Sequence, residues 1–284
     1  MKKIKAYVAF IIAGTIIGFS SNLHAEIPGG MFPSFESPLA VEVVHYDPKK
    51  ADPYASYTIP GSSFEYRDAN LAVSSALSTF ILGKTLSDMG RDSEYAKSVG
   101  NLGPRLPDLD KLLITRLQEE LTKDTNPKLK IVSATEDRAR FEISPRALLF
   151  SDKEGLVSVT FYLETKLLDK DGKRIWWNRY SYKEDEKKLL LGPDGWTGEG
   201  GILPAITERV INTMLDELLI DLKLSEDSTT KEIRFKNCAG GEDTPNILLR
   251  ESTKYFVVKK DLGKIYGPTT FLYSKTACQL AEKR

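Results

Sequence analysis

The fold of this chain is decided by residues 156–182, LVSVTFYLETKLLDKDGKRIWWNRYSY. Every second residue over 157–167 is apolar or Thr, whereas the residues between them are polar or Tyr. This alternation is typical of a strand with one buried face. Asp171-Gly172 is a strong turn signal, and residues 174–182 return with two Trp and two Tyr. The segment predicts a long β-hairpin, in which cross-strand aromatic pairs add roughly 0.2–1 kcal/mol each.

Two predicted amphipathic helices flank the hairpin in sequence. The first, over residues 107–122, has Leu at three- and four-residue spacing and Asp in its first turn, where the helix dipole favours acids. The second, over residues 203–222, carries one face of Ile, Val, Met and Leu. Further strands are predicted at Leu39–His45, 129–134 and 139–150. This order predicts an α+β fold, a mixed or mostly antiparallel sheet with two amphipathic helices on one face.

A third predicted helix, over residues 68–89, is apolar on nearly all sides. No charged residue occurs over 71–82, which indicates burial around most of the helix. This run is too short to cross a bilayer, which takes about 20 residues. We therefore expect a helix that faces the core or a partner, and Leu77, Phe80 and Ile81 are its candidate partner-binding residues.

The first 25 residues have the pattern of a secretory signal peptide. Three Lys within the first five residues precede an uncharged apolar run that reaches Phe19, and Ala25 is a small residue suited to cleavage. The run is shorter than the ~20 residues of a spanning helix. We expect cleavage after Ala25, no membrane span in the remaining chain, and a periplasmic or secreted location.

The two cysteines, Cys238 and Cys278, both lie in a small C-terminal module predicted at residues 232–284. A polar linker at 225–231 separates it from an α+β domain at 26–224. An isolated pair in an oxidising compartment usually forms a disulfide, and the CxxC spacing of a redox pair is absent. A module this small buries little core, so we expect a β-rich fold stapled by the bond, which would add on the order of 3–4 kcal/mol.

Several classes of site are disfavoured by composition. Lys+Arg and Asp+Glu both number 40, so no net positive field attracts nucleic acid. His45 is the only His beyond the predicted signal, which argues against a multi-His zinc site and Ser-His catalysis. Ser62-Ser63 lacks a GxSxG context, and the glycines at 192–201 fit neither phosphate-binding pattern. We expect no cofactor or metal, and Trp196 in the glycine-rich loop is either a packing residue or a partner anchor.

The order of elements resembles the small α/β domain of two groups of periplasmic proteins. These are the ABC-type transport auxiliary proteins (PqiC-like) and the TolB N-terminal domain. The resemblance covers about residues 38–222 and rests on the strand Leu39–His45, the leucine helix Leu109–Leu121, the hairpin and the helix Leu203–Leu222. It implies an auxiliary component of an envelope transport or assembly system.

Three functions are consistent with the sequence. The first is a non-enzymatic envelope protein that binds a protein or lipid-linked partner through helix 68–89, the sheet edge or the Trp196 loop. The missing catalytic constellation favours this function. The second is a secreted hydrolase that uses two of the many carboxylates, although no spacing selects a pair. The third is a carrier of a small apolar ligand in a pocket under helix 68–89.

Overall fold

The computed structural model describes the chain in ten segments. Leu77, Phe80, Ile81 and Cys238 lie outside them, as do the predicted signal peptide and nearly all of the predicted helix 68–89 and linker. The described segments are residues 27–28, 39–46, 57–69, 99–123, 129–130, 139–198, 200–223, 231–236, 246–262 and 268–280.

Within these segments the chain alternates short and long strands with two long helices. The strands are β1 (Ile27–Pro28), β2 (Leu39–Val43), β3 (Tyr57–Thr58), β4 (Phe64–Asp68), β5 (Leu129–Lys130), β6 (Arg140–Ser151), β7 (Val157–Leu168), β8 (Arg174–Lys188), β9 (Lys231–Ile233), β10 (Phe235–Lys236), β11 (Asn246–Glu251), β12 (Tyr255–Asp261), β13 (Pro268–Ser274) and β14 (Gln279–Leu280). The helices are α1 (Leu109–Thr122) and α2 (Leu203–Lys223), with a 3₁₀ turn at Gly103–Arg105.

The predicted hairpin is confirmed as β7 and β8, which pair antiparallel in a twelve-stranded mixed sheet of the described residues. The strand order is β3-β4-β6-β7-β8-β13-β12-β11-β9. In the hairpin turn the Asp169 carboxylate accepts hydrogen bonds from the backbone N–H of Asp171 and Lys173, at 2.9 and 2.8 Å. Gly172 has φ +77°, a left-handed conformation that glycine adopts without a Cβ clash.

Both helices pack on one face of this sheet. Asp108 caps α1, because its carboxylate accepts the backbone N–H of Lys111 at 3.0 Å. The predicted leucine face is confirmed, and the inner residues of the helices join the inner residues of the strands in one apolar core. Its buried members include Leu109, Leu113, Leu117, Phe141, Phe161, Leu163, Trp176, Tyr180, Val210, Met214 and Leu218.

The C-terminal strands continue the same sheet. β13 pairs parallel with β8, from Thr269 opposite Arg179 to Leu272 opposite Tyr182. The side chain of Asn178 donates to Thr270 Oγ1 at 2.9 Å, with both residues buried. Strands from both sides of the predicted linker are therefore joined by hydrogen bonds, while the division into domains stays a prediction.

A second, smaller core lies on the face of the sheet opposite the helices. Side chains alternate along β12 and β13, so that Leu272 reaches the main core while Tyr273 packs against the second one. The two-stranded sheet of β10 and β14 covers this second core. Its buried members are Ile233, Phe235, Phe256, Val258 and Cys278.

Two details differ from the sequence predictions, and a third agrees with them. The run of mixed charge at 183–188 predicts a solvated hairpin end, but β8 continues through it to Lys188, because Lys183 and Lys187 still pair with β7. The sequence also predicts a short helix-like piece that holds Cys278, but Cys278 lies between a turn and β14. Asp68 is the last residue of β4 and Ala69 after it is helical, so the predicted helix begins where the sequence places it.

The α+β class is confirmed by a mixed sheet of many strands with two helices. Cys278 is only 4% exposed, but its predicted disulfide partner lies outside the described residues, so the bond stays a prediction. Within the described segments, neither helix combines the length and apolar character that crossing a bilayer requires.

Candidate functional site

Trp196 is a packing residue in this structure. Its side chain is fully buried in the main core, and its indole N–H donates to the carbonyl of Val157 at 2.7 Å. Backbone hydrogen bonds from Trp196 to Leu189 and from Thr197 to Leu190 hold the loop against the end of β8. The indole ring is therefore away from solvent, and a partner of this loop would contact its exposed residues Leu189 and Leu191 instead.

A groove of about 560 Å³ lies on the helix-free face of the sheet. Its size is in the range of small-molecule sites, about 300–1,000 Å³. The residues that line it come from β4, β6, β7, β8 and β13, from the turn after β13, and from Leu262 directly after β12. The short hydroxyl side chains of Ser158, Thr160 and Ser181 form the floor of the groove, and longer side chains around them form its walls.

One end of the groove is an ionic cluster, which we define as Glu65, Arg146, Glu164 and Arg179. These residues come from four neighbouring strands. Arg146 lies 3.7 Å from Glu65 and 3.4 Å from Glu164, and Arg179 lies 3.2 Å from the same Glu164 oxygen. Glu65 and Arg146 are only 3% and 8% exposed, so this cluster holds its charges out of water in opposed pairs.

Two tyrosines enclose the central arginine of the ionic cluster. The Arg146 guanidinium lies 4.9 Å from the ring centre of Tyr46 and 4.5 Å from that of Tyr162, and it donates to the Tyr46 hydroxyl at 3.0 Å. Burial raises the pKa of Tyr46 above its ordinary value, against the opposing effect of Arg146. Burial acts to lower the pKa of Arg146, but Glu164, Tyr46 and Glu65 outweigh it and raise that pKa. The arginine is thus fixed as a cation.

The other end of the groove is apolar and aromatic. The rings of Phe271 and Tyr273 stack nearly parallel, with centres 5.5 Å apart and planes at 9°. Leu262 is 41% exposed and lines the same end. Burial raises the pKa of Tyr273 to about 12, so its hydroxyl stays neutral at physiological pH. The Lys260 ammonium lies 5.5 Å from both ring centres.

A β-bulge forms one wall of the groove. Between the pairs Ser158–Lys187 and Thr160–Lys183 the β8 strand has two residues more than β7. The bulge brings Lys183 and Asp185 to the groove, and the Thr276 hydroxyl donates to Asp185 Oδ2 at 3.1 Å. This contact attaches the turn after β13 to the edge of β8, which closes the wall.

The acids that line the groove are all engaged by other groups of the protein. Glu65 pairs with Arg146, Glu184 lies 2.6 Å from Arg209 on α2, and Asp185 accepts from Thr276. Among the cations of the lining, Lys187 pairs with Asp152 at 2.9 Å. Lys183 is exposed, and no ion pair joins it to another described residue. The five lining cations outnumber the three lining acids, so the groove presents net positive charge beside its hydroxyl floor.

A second polar cluster joins His45, Ser63 and Asp110, which the sequence left unconnected. His45 Nδ1 lies 2.6 Å from Asp110 Oδ2, and the Ser63 hydroxyl lies 3.4 Å from the same ring nitrogen and 3.4 Å from Asp110 Oδ1. A catalytic triad needs the serine and the carboxylate on different nitrogens of the imidazole. Here both contact Nδ1, so the geometry does not support serine activation.

Metal-ligating side chains do not gather among the described residues. No group of three or more His, Cys, Asp or Glu side chains with a suitable arrangement occurs in that part of the chain. The expectation that the protein holds no metal or cofactor stays a prediction.

Sequence reasoning missed the groove and its ionic cluster. The sequence pattern that could have indicated it is the polar face of the hairpin, where Tyr162 and Glu164 alternate with buried residues. Arg146 and Arg179 lie on the same face of the sheet, on the strands to either side of β7. Arg146 pairs with Tyr162, and Arg179 pairs with Glu164. The registers that bring these residues together are not encoded in spacing along one strand.

No protein-family model, curated protein or solved structure matches this chain. The resemblance to envelope auxiliary proteins therefore stays a prediction.

Proposed function

We propose that this chain is a non-enzymatic, periplasmic or secreted envelope protein that binds a protein or lipid-linked partner in the groove. A role as an auxiliary component of an envelope transport or assembly system is part of this proposal. The signal-like pattern of residues 1–25 supports the location, and the resemblance over residues 38–222 supports the role.

The observation that carries the proposal is the division of the groove into two ends. The ionic cluster at one end is fixed by ion pairs and by the rings of Tyr46 and Tyr162. The other end offers apolar surface from Phe271, Tyr273 and Leu262. Concave sites with an apolar lining and a few placed polar groups are the usual form of binding sites.

Site-specific photo-crosslinking in cells tests this function. A benzophenone amino acid replaces Leu262, which is 41% exposed in the groove, or Leu191, which is 47% exposed outside it. We expect a crosslinked adduct from the Leu262 position after ultraviolet irradiation of cells, and none from the Leu191 control. Mass spectrometry of the adduct identifies the partner as a protein or a lipid. Equal adducts at both positions, or none at either, would contradict groove binding.

The location and the disulfide belong to the same proposal. We expect the full chain, expressed in a Gram-negative host, to appear in the osmotic-shock fraction without residues 1–25. We also expect Cys238 and Cys278 to resist alkylation until a reductant is added. An intact N terminus in the cytosolic fraction, with both thiols reactive, would contradict this part of the proposal.

A further inference from the structure

The ligand class of the groove follows from the placement of its charge and its apolar surface. Thr160 lies directly opposite Lys183 in the β7–β8 register, so a hydroxyl and an ammonium face the same space. A hydroxyl donor beside a cation is a favourable environment for an anionic oxygen. Of the lining acids, Glu65 and Glu184 are paired with Arg146 and Arg209, whereas Asp185 accepts from a neutral hydroxyl and keeps its charge. The lining still has more cations than acids, five against three.

The apolar end of the groove begins on β13, the strand next to the one that carries Lys183. Ser181, two residues before Lys183 on β8, lies opposite Phe271 on β13. Directly opposite residues of neighbouring strands are about 5 Å apart, and diagonal neighbours about 7–8 Å. The stacked rings of Phe271 and Tyr273 are therefore a short chain length away from the Lys183 ammonium.

We propose that the groove binds an amphiphile with one anionic head and one apolar chain. The head, a carboxylate or a phosphate, lies between Lys183 and Thr160, and the chain covers Phe271 and Tyr273 towards Leu262. This inference rests on the proposed function, since it names the chemistry of the molecule that the groove holds. The ionic cluster lies at the far end of the groove. Its own charges are already paired with one another, so we expect the anionic head to lie at Lys183 instead.

Isothermal titration calorimetry on the purified protein without residues 1–25 tests the ligand class. The probes are sodium dodecanoate and dodecyl phosphate below their micellar concentrations, with decyl maltoside and dodecyltrimethylammonium as neutral and cationic comparisons. Inorganic phosphate alone tests whether the head binds without a chain.

We expect both anionic amphiphiles to bind at least about tenfold more tightly than the other three probes, a difference that one charge-assisted contact and the chain together provide. Equal binding of the neutral and anionic chains, binding of phosphate alone with equal affinity, or no binding by either anionic amphiphile would overturn the inference.

Two substitutions locate the head and the chain. Lys183→Gln is expected to weaken dodecanoate binding about tenfold, while the matched control Lys173→Gln, in the exposed hairpin turn, leaves it unchanged. Phe271→Leu is expected to weaken binding of both anionic amphiphiles and to leave the unfolding midpoint within the range of the control. Unchanged affinity in both groove variants would overturn the placement.

The two proposals fail in different ways. A Leu262 crosslink to a protein, together with no calorimetric binding of the anionic amphiphiles, keeps the envelope-binding function and overturns the ligand class. Amphiphile binding by the purified protein without any crosslink in cells keeps the ligand class and contradicts the function.

Discussion

The two faces of the central sheet use different means to exclude water. The helix face is closed by α1 and α2 over a continuous apolar core, in which Phe161 and Leu163 of β7 are fully buried. On the opposite face Tyr162, which lies between these two residues in sequence, is half-buried against the paired charges around Arg146. Apolar packing carries the stability of the first face, while the second trades stability for fixed charge beside an open groove.

Removing a core ring from the helix face gives the largest expected effect. Phe161→Ala deletes a fully buried ring and leaves a cavity, so we expect the free energy of unfolding to fall by about 3–5 kcal/mol. The control is Thr160→Ala, one residue away on the groove face, with an expected change of about 1 kcal/mol or less. Urea unfolding followed by circular dichroism measures both. Equal losses would show that the two faces contribute alike.

Breaking the ionic cluster is the sharper test of the groove face. Arg146→Ala leaves Glu65, which is 3% exposed, and Glu164 without their shared cation, so we expect a loss of about 3 kcal/mol. The double variant Arg146→Met with Glu65→Gln removes the uncompensated charge and is expected to recover part of this loss. Urea unfolding of the single and double variants gives the comparison. A single variant as stable as the unchanged protein would contradict a structural role for the cluster.

The smallest expected effect concerns pH at the rim of the groove. The hydrogen bond from Lys187 lowers the pKa of Asp152 below its ordinary value, with the backbone N–H groups of Leu156 and Glu154 acting in the same direction. A carboxyl whose folded pKa is lowered contributes stability that is complete above its unfolded pKa of 3.8 and is lost as the pH falls through its folded pKa.

Asp152→Asn should therefore remove a small part of the acid sensitivity. Between pH 7 and pH 3 the unfolding midpoint in urea should fall less for this variant than for the unchanged protein. Asp185→Asn is a control on the same rim whose carboxyl contacts a hydroxyl instead of an ammonium. The same pH dependence in the unchanged protein and in Asp152→Asn would contradict the contribution of this carboxyl.

The helix face was predictable because its signals are local. Periodic Leu residues define α1 from Leu109 to Leu117, and the Asp171-Gly172 turn fixes the β7–β8 hairpin. The groove face was not predictable, because its contacts join residues that are distant in sequence. Arg146 donates to Tyr46 across 100 positions, and no pattern near either residue specifies that pair.

The bulge in β8 could not be predicted from the sequence for a related reason. A run of mixed charge at 183–188 reads as solvent-exposed chain, since sequence patterns do not reveal which strand lies beside it. The neighbouring strand β7 keeps this run in the sheet, and the contact of Asp185 with Thr276 links it to the last described turn.

The parallel pairing of β8 with β13 has a consequence for the order in which the chain folds. Asn178 and Thr270, which share a side-chain hydrogen bond, are 92 positions apart. Contacts of such separation close slowly, so the edge of β8 at Arg179–Tyr182 has its backbone groups unpaired until Thr269–Leu272 has been synthesised and has docked. During that interval the edge is open to pairing with another chain. A nascent or truncated form that lacks Thr269–Leu272 should therefore require chaperone protection.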